Sequence, residues 1–167
     1  LAVRDGFDST TRTRIIESGH HLWTDPSTVY FSARLSRERE GTLECAKKLR
    51  AMLNRPISVC DPYAGVGPSL APLVNEPDLL SKLFASDLNP AAVELLRENI
   101  SADYVEIECV DARTLHERSE LCGKFDLLLV NIPHDTLEHL PDLLPLLNDG
   151  GTVRGWAVIE EEDLQDA

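Results

Sequence analysis

The chain has 167 residues, 43% of them hydrophobic and 27% charged, which suits a single domain with its own core. No apolar run approaches the roughly 20 residues that cross a bilayer, and the start, Leu1-Ala2-Val3-Arg4-Asp5-Gly6, lacks a secretory signal's long apolar stretch, so a cytoplasmic protein is expected. The net charge of −13 opposes phosphate binding, but it is unevenly spread: residues 1–55 carry ten basic and seven acidic side chains, residues 56–167 six and twenty-two, and a polyanion would approach the N-terminal third.

Residues 1–27 are polar and turn-rich, with Thr10-Thr11-Arg12-Thr13-Arg14, Gly19 and Asp25-Pro26, and predict short strands and turns outside the main core. Val29-Tyr30-Phe31 is a short apolar β-like piece. Ser36 suits the N-cap of a helix through about Leu53, with Glu38 and Glu40 in its first turn and Leu35, Leu43, Ala46, Leu49, Met52 and Leu53 as an apolar stripe. From Pro56 short apolar runs alternate with helical stretches. Ile57–Cys60 reads as a first strand, then a glycine-rich turn and a helix near Ser69–Val74. Leu83–Ser86 reads as a second, with Asn89 as N-cap and Pro90 opening a helix through Ile100. Tyr104–Val110 is a third. Phe125–Val130, apolar but for Asp126, predicts a strand buried on both faces, followed by a helix Thr136–Leu147 that Asn148-Asp149-Gly150-Gly151 ends. Thr152–Ile159 is a fifth. This alternation predicts an α/β fold with a doubly wound, mainly parallel sheet, preceded over residues 1–31 by a short β/turn segment.

Cys45, Cys60, Cys109 and Cys122 form no CxxC pair and are expected as reduced, buried thiols. His20, His21, His116, His134 and His139 show no ligand spacing with acids or cysteines, so no metal is expected.

In a doubly wound sheet, ligands bind beyond the carboxyl ends of the strands. There the sequence places Asp61-Pro62-Tyr63-Ala64-Gly65-Val66-Gly67-Pro68, then Asp87-Leu88-Asn89-Pro90, Asp111-Ala112-Arg113 and Asn131-Ile132-Pro133. The glycines let backbone approach a ligand, or simply make a tight connection. Asp87 suits the two hydroxyls of a ribose, and also helix capping. Asp111 suits an adenine amino group, or a cap for the next turn. Leu70 stands where a dinucleotide fingerprint would need glycine or alanine, which disfavours a dehydrogenase. Asn131 is a polar amide where a transferred group would meet its acceptor; Asn-x-Pro also forms turns.

These pieces, together with Val29-Tyr30-Phe31-Ser32-Ala33-Arg34-Leu35-Ser36-Arg37-Glu38-Arg39, resemble the class I methyltransferases of the archaeal and eukaryotic tRNA guanine-N1 type and their wybutosine-pathway relatives. The resemblance runs from about Val29 to Glu160 and implies a Rossmann-like S-adenosylmethionine-dependent methyltransferase domain over residues 32–167, with residues 1–31 the end of a preceding region. It departs at Ala33, usually proline, and Ile132, usually leucine. A separate N-terminal tRNA-docking domain is missing, and the chain stops after the fifth of the fold's usual seven strands. The resemblance further implies cofactor binding by Asp61, Tyr63, Ala64, Gly65, Val66, Gly67, Asp87, Leu88, Asn89, Asp111, Ala112 and Asn131. Arg34 and Asn131 would face the guanosine 3′ of the anticodon, nucleotide 37 of a tRNA. The expected reaction is methylation of guanine N1, with Arg34 polarising O6 and Asn131 orienting the base. Transfer of the cofactor's aminocarboxypropyl arm is the enzymatic alternative, and a non-catalytic cofactor-binding or protein-interaction domain is the alternative of another class. Arg37 and Arg39 are expected on tRNA phosphates.

Overall fold

The computed structural model describes residues 11–32, 35–132 and 134–157. Two short strands, β1 (Thr13–Glu17) and β2 (His20–Thr24), pair antiparallel, with Thr13 opposite Thr24 and Glu17 opposite His20. Ser18 and Gly19 both have positive φ, 48° and 81°, as a two-residue hairpin turn requires. The hairpin docks on the rest of the molecule instead of lying outside the core: Leu22 is 1% exposed and joins the main apolar cluster.

Helix α1 spans Ser36–Leu53. Leu35 occupies its N-cap position with no side-chain cap bond, so Ser36 is the first helical residue rather than the cap. The buried face consists of Arg39, Thr42, Ala46 and Leu49, whereas Met52 is 81% exposed. The helix therefore turns a partly polar face inward. That is possible because each polar group has a partner: Glu17 and the Ser32 carbonyl accept from Arg39, and Thr42 Oγ1 accepts from Arg154.

The remaining elements follow in order: β3 (Ile57–Asp61), α2 (Ala71–Val74), β4 (Leu80–Asp87), α3 (Pro90–Asn99), β5 (Val105–Cys109), a 3-10 turn (Ala112–Glu117), β6 (Phe125–Val130), α4 (Thr136–Leu143), a second 3-10 turn (Leu144–Leu146) and β7 (Leu147–Gly155). Asn89 caps α3 as expected, its side chain accepting from the Ala91 N–H, and Pro90 opens the helix. The expected helix through Leu147 stops at Leu143, because Pro145 cannot supply the amide that would continue it. Asn148–Gly151, expected to end that helix, lie inside β7 at a register irregularity. The five strands form one parallel sheet in the order β5-β4-β3-β6-β7. Alternate side chains divide between two cores. Val59, Leu83, Leu127 and Leu129 face the side covered by α1, α2 and α3, while Cys60, Phe84, Leu128 and Val130 face α4 and the 3-10 turns.

Strand β6 is buried at all six positions, yet it contains Asp126. Burial alone would raise this carboxyl. Hydrogen bonds from the two terminal Arg55 guanidinium nitrogens, the Ser58 N–H and hydroxyl, and Asn148 Nδ2 outweigh burial and hold it below the ordinary carboxylate range. The four cysteines are unpaired, but only Cys60 is fully buried and Cys109 is exposed. No described helix is long and apolar enough to cross a membrane.

Candidate active site at the switch point of the sheet

Strand order reverses at β3, whose neighbours β4 and β6 lead in opposite directions, and the crevice outside the carboxyl ends of such strands is where open α/β sheets bind ligands. A cavity of about 420 Å³ lies there. Its wall takes Asp61 from the end of β3, Tyr63, Ala64, Gly65 and Val66 from the following turn, Asp87 and Asn89 from the end of β4, and Asn131 from the end of β6. These are eight of the expected site residues. Gly67, Leu88, Asp111 and Ala112 do not line it.

The turn after β3 is held from several sides. The Ala64 N–H donates to the Ser86 carbonyl, and the Gly65 N–H to Asp87 Oδ2 at 2.9 Å. Gly65 has φ of +56° with open space where a side chain would sit, so backbone itself faces the cavity. Gly67, at φ +86°, is needed for a different reason: an added Cβ would lie 2.7 Å from Leu96 and 2.8 Å from Ile100, so its role is the packing of the turn against α3. Asn99 completes the frame, its Nδ2 donating to the Val66 and Trp23 carbonyls while its Oδ1 accepts from the Trp23 N–H.

Asp87 is not the cap of α3. Its Oδ1 accepts from the Asn89 N–H and its Oδ2 from Gly65, leaving each oxygen a further lone pair. Asp111 takes the capping role that its sequence position also suited: Oδ1 accepts from the Arg113 N–H and the side chain pairs with the Arg113 guanidinium, which holds the carboxyl at about 2. Tyr63 carries its hydroxyl 2.7 Å from His139 Nδ1, and burial followed by the Asp111 charge pushes it up to about 12.

Asp61 is 1% exposed. Burial raises its carboxyl from 3.8 to about 7 against the smaller opposing effect of the Tyr63 N–H, with Asp87 adding to the rise. A raised folded-state value means that the folded form holds this proton more tightly than the unfolded chain. The stabilisation is present below about pH 4 and is lost as pH rises through about 7. Asp61→Asn should therefore remove this loss, with a gain over the parent on the order of 4 kcal/mol by pH 8. Urea unfolding at pH 5 and pH 8 measures it; parallel pH profiles for the two proteins would contradict the assignment.

Arg34 and Pro133 lie outside the described residues, as does any pairing of Arg34 with Glu38 or Arg37. Ser32 and Leu35, on either side of residues 33–34, line the cavity, as do Asn131 and Ile132. Arg37 is exposed, but Arg39, expected on phosphates, is 5% exposed and paired with equally buried Glu17 at 2.7 Å. It also donates to the Ser32 carbonyl at 2.8 Å and lies 5.1 Å over the Phe31 ring. It is a strut under the loop carrying Tyr30, Phe31 and Ser32, all on the cavity wall.

Trp156 was not singled out from the sequence, and Tyr30, noted there only within the Val29-Tyr30-Phe31 piece, was not assigned to the site, yet both line the cavity. The fifth strand was expected to run to Ile159; it ends at Gly155, which makes Trp156 the residue just beyond it, where the strand-end rule looks. Among the described residues no group of three His, Cys, Asp or Glu side chains could hold a metal ion.

Residues 13–166 match the family described as the TRM5/TYW2 methyltransferase domain. The tRNA (guanine(37)-N(1))-methyltransferase Trm5b of Methanocaldococcus jannaschii is 30% identical over 156 residues, which cover 93% of this chain and 43% of that protein. The chain thus spans less than half the length of this curated relative. The crystal structure of wild-type Trm5b from Pyrococcus abyssi superposes with a TM-score of 0.70 at 31% identity, covering 87% of this chain and 40% of that one. The structure of Pyrococcus horikoshii TYW2 in complex with MeSAdo gives a TM-score of 0.76 at 22% identity, over 93% and 56% of the two chains, a likeness of fold.

Proposed function

Because the chain belongs to the TRM5/TYW2 methyltransferase domain family, we propose that its cavity binds S-adenosylmethionine and serves methylation of guanine N1 at nucleotide 37 of tRNA. The carrying observation is Asn131: its Oδ1 is buried with no hydrogen-bond partner, on the wall of a cavity at the sheet's switch point. A buried acceptor without a partner is costly, and a ligand that brings a donor explains it.

The residues present fit the cofactor. The cavity falls within the range of small-molecule sites, Gly65 leaves room for close approach, and Asp87 keeps lone pairs for ribose hydroxyls. Asp61 supplies a carboxylate for a cationic group, and such a ligand would draw its proton off. Asp111, held by Arg113, stands beside Tyr63, and we assign it with Leu88 and Ala112 to the outer, adenine end. When bound, S-adenosylmethionine supplies a methyl group on a sulfonium. The protein's part is to align donor and acceptor within about 3–3.5 Å, to exclude water and to stabilise charge on the base. Asn131 orients the base, and we place Arg34, by resemblance, at its O6.

Two further parts belong to the proposal. The substrate is tRNA, held largely by surfaces beyond this chain, because a charge of −13 gives it little hold on phosphates. The protein is cytoplasmic. The test incubates a longer protein containing this chain with S-adenosylmethionine and a tRNA transcript bearing G37, then digests the RNA and weighs the nucleosides. A 1-methylguanosine product is expected. An aminocarboxypropyl adduct would replace the methyl reading with its alternative, and cofactor binding without any transfer would favour a non-catalytic domain.

A further inference from the structure

Val130 and Gly155 are register partners on the neighbouring parallel strands β6 and β7, so Asn131 and Trp156 are the next residues on each. Both line the cavity, and each carries a buried polar atom without a partner: Asn131 Oδ1 and Trp156 Nε1. The other two such atoms among the described residues, on Thr24 and His116, belong to residues that do not line it. An indole nitrogen can only donate and an amide oxygen can only accept. Two residues of the wall, at adjacent strand ends, therefore carry one unmet donor and one unmet acceptor.

The complementary ligand edge carries an acceptor next to an N–H donor. Guanine presents this pairing on its Watson–Crick edge, O6 beside N1–H and then the exocyclic amino group. Adenine presents the reverse, an amino donor beside an unprotonated N1, and would set donor against donor at Trp156. Uracil shares the acceptor-donor pair but lacks the exocyclic amino group and the second ring.

We propose that Trp156 is a specificity-determining residue that donates its indole N–H to O6 of the guanine being modified. The proposal rests on the assignment of guanine as the acceptor. Trp156 Nε1 holds O6, Asn131 Oδ1 accepts from the exocyclic amino group at the other end of that edge so that N1 stays open to the methyl donor, and the two select guanine over adenine by polarity. The bond to O6 strengthens as N1 gives up its proton, to a base or to solvent, and takes the methyl group, since the ring's developing negative charge spreads onto that oxygen.

The experiment removes the donor from the protein and the acceptor from the ligand, separately and together. Trp156→Phe keeps an aromatic ring but removes the N–H donor together with the pyrrole part of the indole, so thermal unfolding is measured alongside to separate lost packing from the lost contact. In a longer protein containing this chain, with RNA carrying guanine at the target, single-turnover transfer should slow on the order of ten- to hundred-fold while S-adenosylmethionine affinity stays within about twofold. Replacing O6 by sulfur, a weak acceptor, should slow the parent enzyme. In Trp156→Phe the same replacement should have a smaller effect, because one of the two donors assigned to O6, the other being Arg34, is already gone. Equal fold-losses on sulfur replacement in the two proteins would overturn the contact, as would full activity of Trp156→Phe on guanine. A parent enzyme that transfers nothing to guanine but methylates RNA at another base removes the guanine assignment and this proposal with it.

Discussion

Replacing Arg39 with alanine is expected to lower folding stability by about 3–5 kcal/mol, because it leaves the Glu17 carboxylate, itself 5% exposed, without its cation. Against a total of about 5–15 kcal/mol for an ordinary domain, that is a large fraction. The same change frees the Ser32 carbonyl and removes the cation over Phe31, so the loop on the cavity wall loses its strut. Removing both charges, with Arg39→Met and Glu17→Gln together, should destabilise less than Arg39→Ala alone, since no unpaired buried charge remains. Arg37→Ala, on the exposed face of α1, should leave stability unchanged within about 0.5 kcal/mol. Urea denaturation of the four proteins at pH 7 decides the matter. A loss below about 1 kcal/mol for Arg39→Ala would return this arginine to the surface role that the sequence suggested.

Asn131→Ala should behave in the opposite way. The change deletes an acceptor that has no partner, so folding stability should hold or rise slightly. Transfer should fall on the order of 100-fold, the scale seen when a positioned amide is removed from a catalytic site. Stability gained at the expense of turnover marks a residue held for the reaction rather than for the fold. Single-turnover rates in a longer protein containing this chain, set beside thermal unfolding of the same variant, give both halves. Unchanged turnover, or destabilisation of several kcal/mol, would make Asn131 a structural residue.

The parallel sheet was legible because its strands are short apolar runs separated by helical stretches, and the run from Phe125 to Val130, apolar but for Asp126, suggested the strand that the structure buries at every position. The strand-end rule then gave Asp61, Asp87 and Asn131 directly, and all three line the cavity. What stayed hidden depends on pairings between distant parts of the chain. Arg39 is 22 residues from Glu17, and nothing local distinguishes a buried ion pair from a solvated arginine on a helix. Asp126 sits among leucines as a buried carboxylate whose donors come from Arg55, Ser58 and Asn148. Met52 fits the apolar period of α1 but is exposed, because the helix is rotated to place Arg39 and Thr42 inward. Trp156 was masked by reading β7 through Ile159. The β-branched and apolar residues there continue the pattern past Gly155, and pattern alone does not reveal where pairing stops.

We place an S-adenosylmethionine site organised by Asp87 in the cavity at the switch point. Isothermal titration of this chain with S-adenosylmethionine, alongside Asp87→Ala, tests it most directly. One-to-one binding is expected in the parent. The variant should bind about ten- to hundred-fold more weakly, since it loses the carboxylate for the ribose and frees the N–H groups of Gly65 and Asn89 that it holds. Absence of binding to the parent, or equal affinity in the two proteins, would contradict the account.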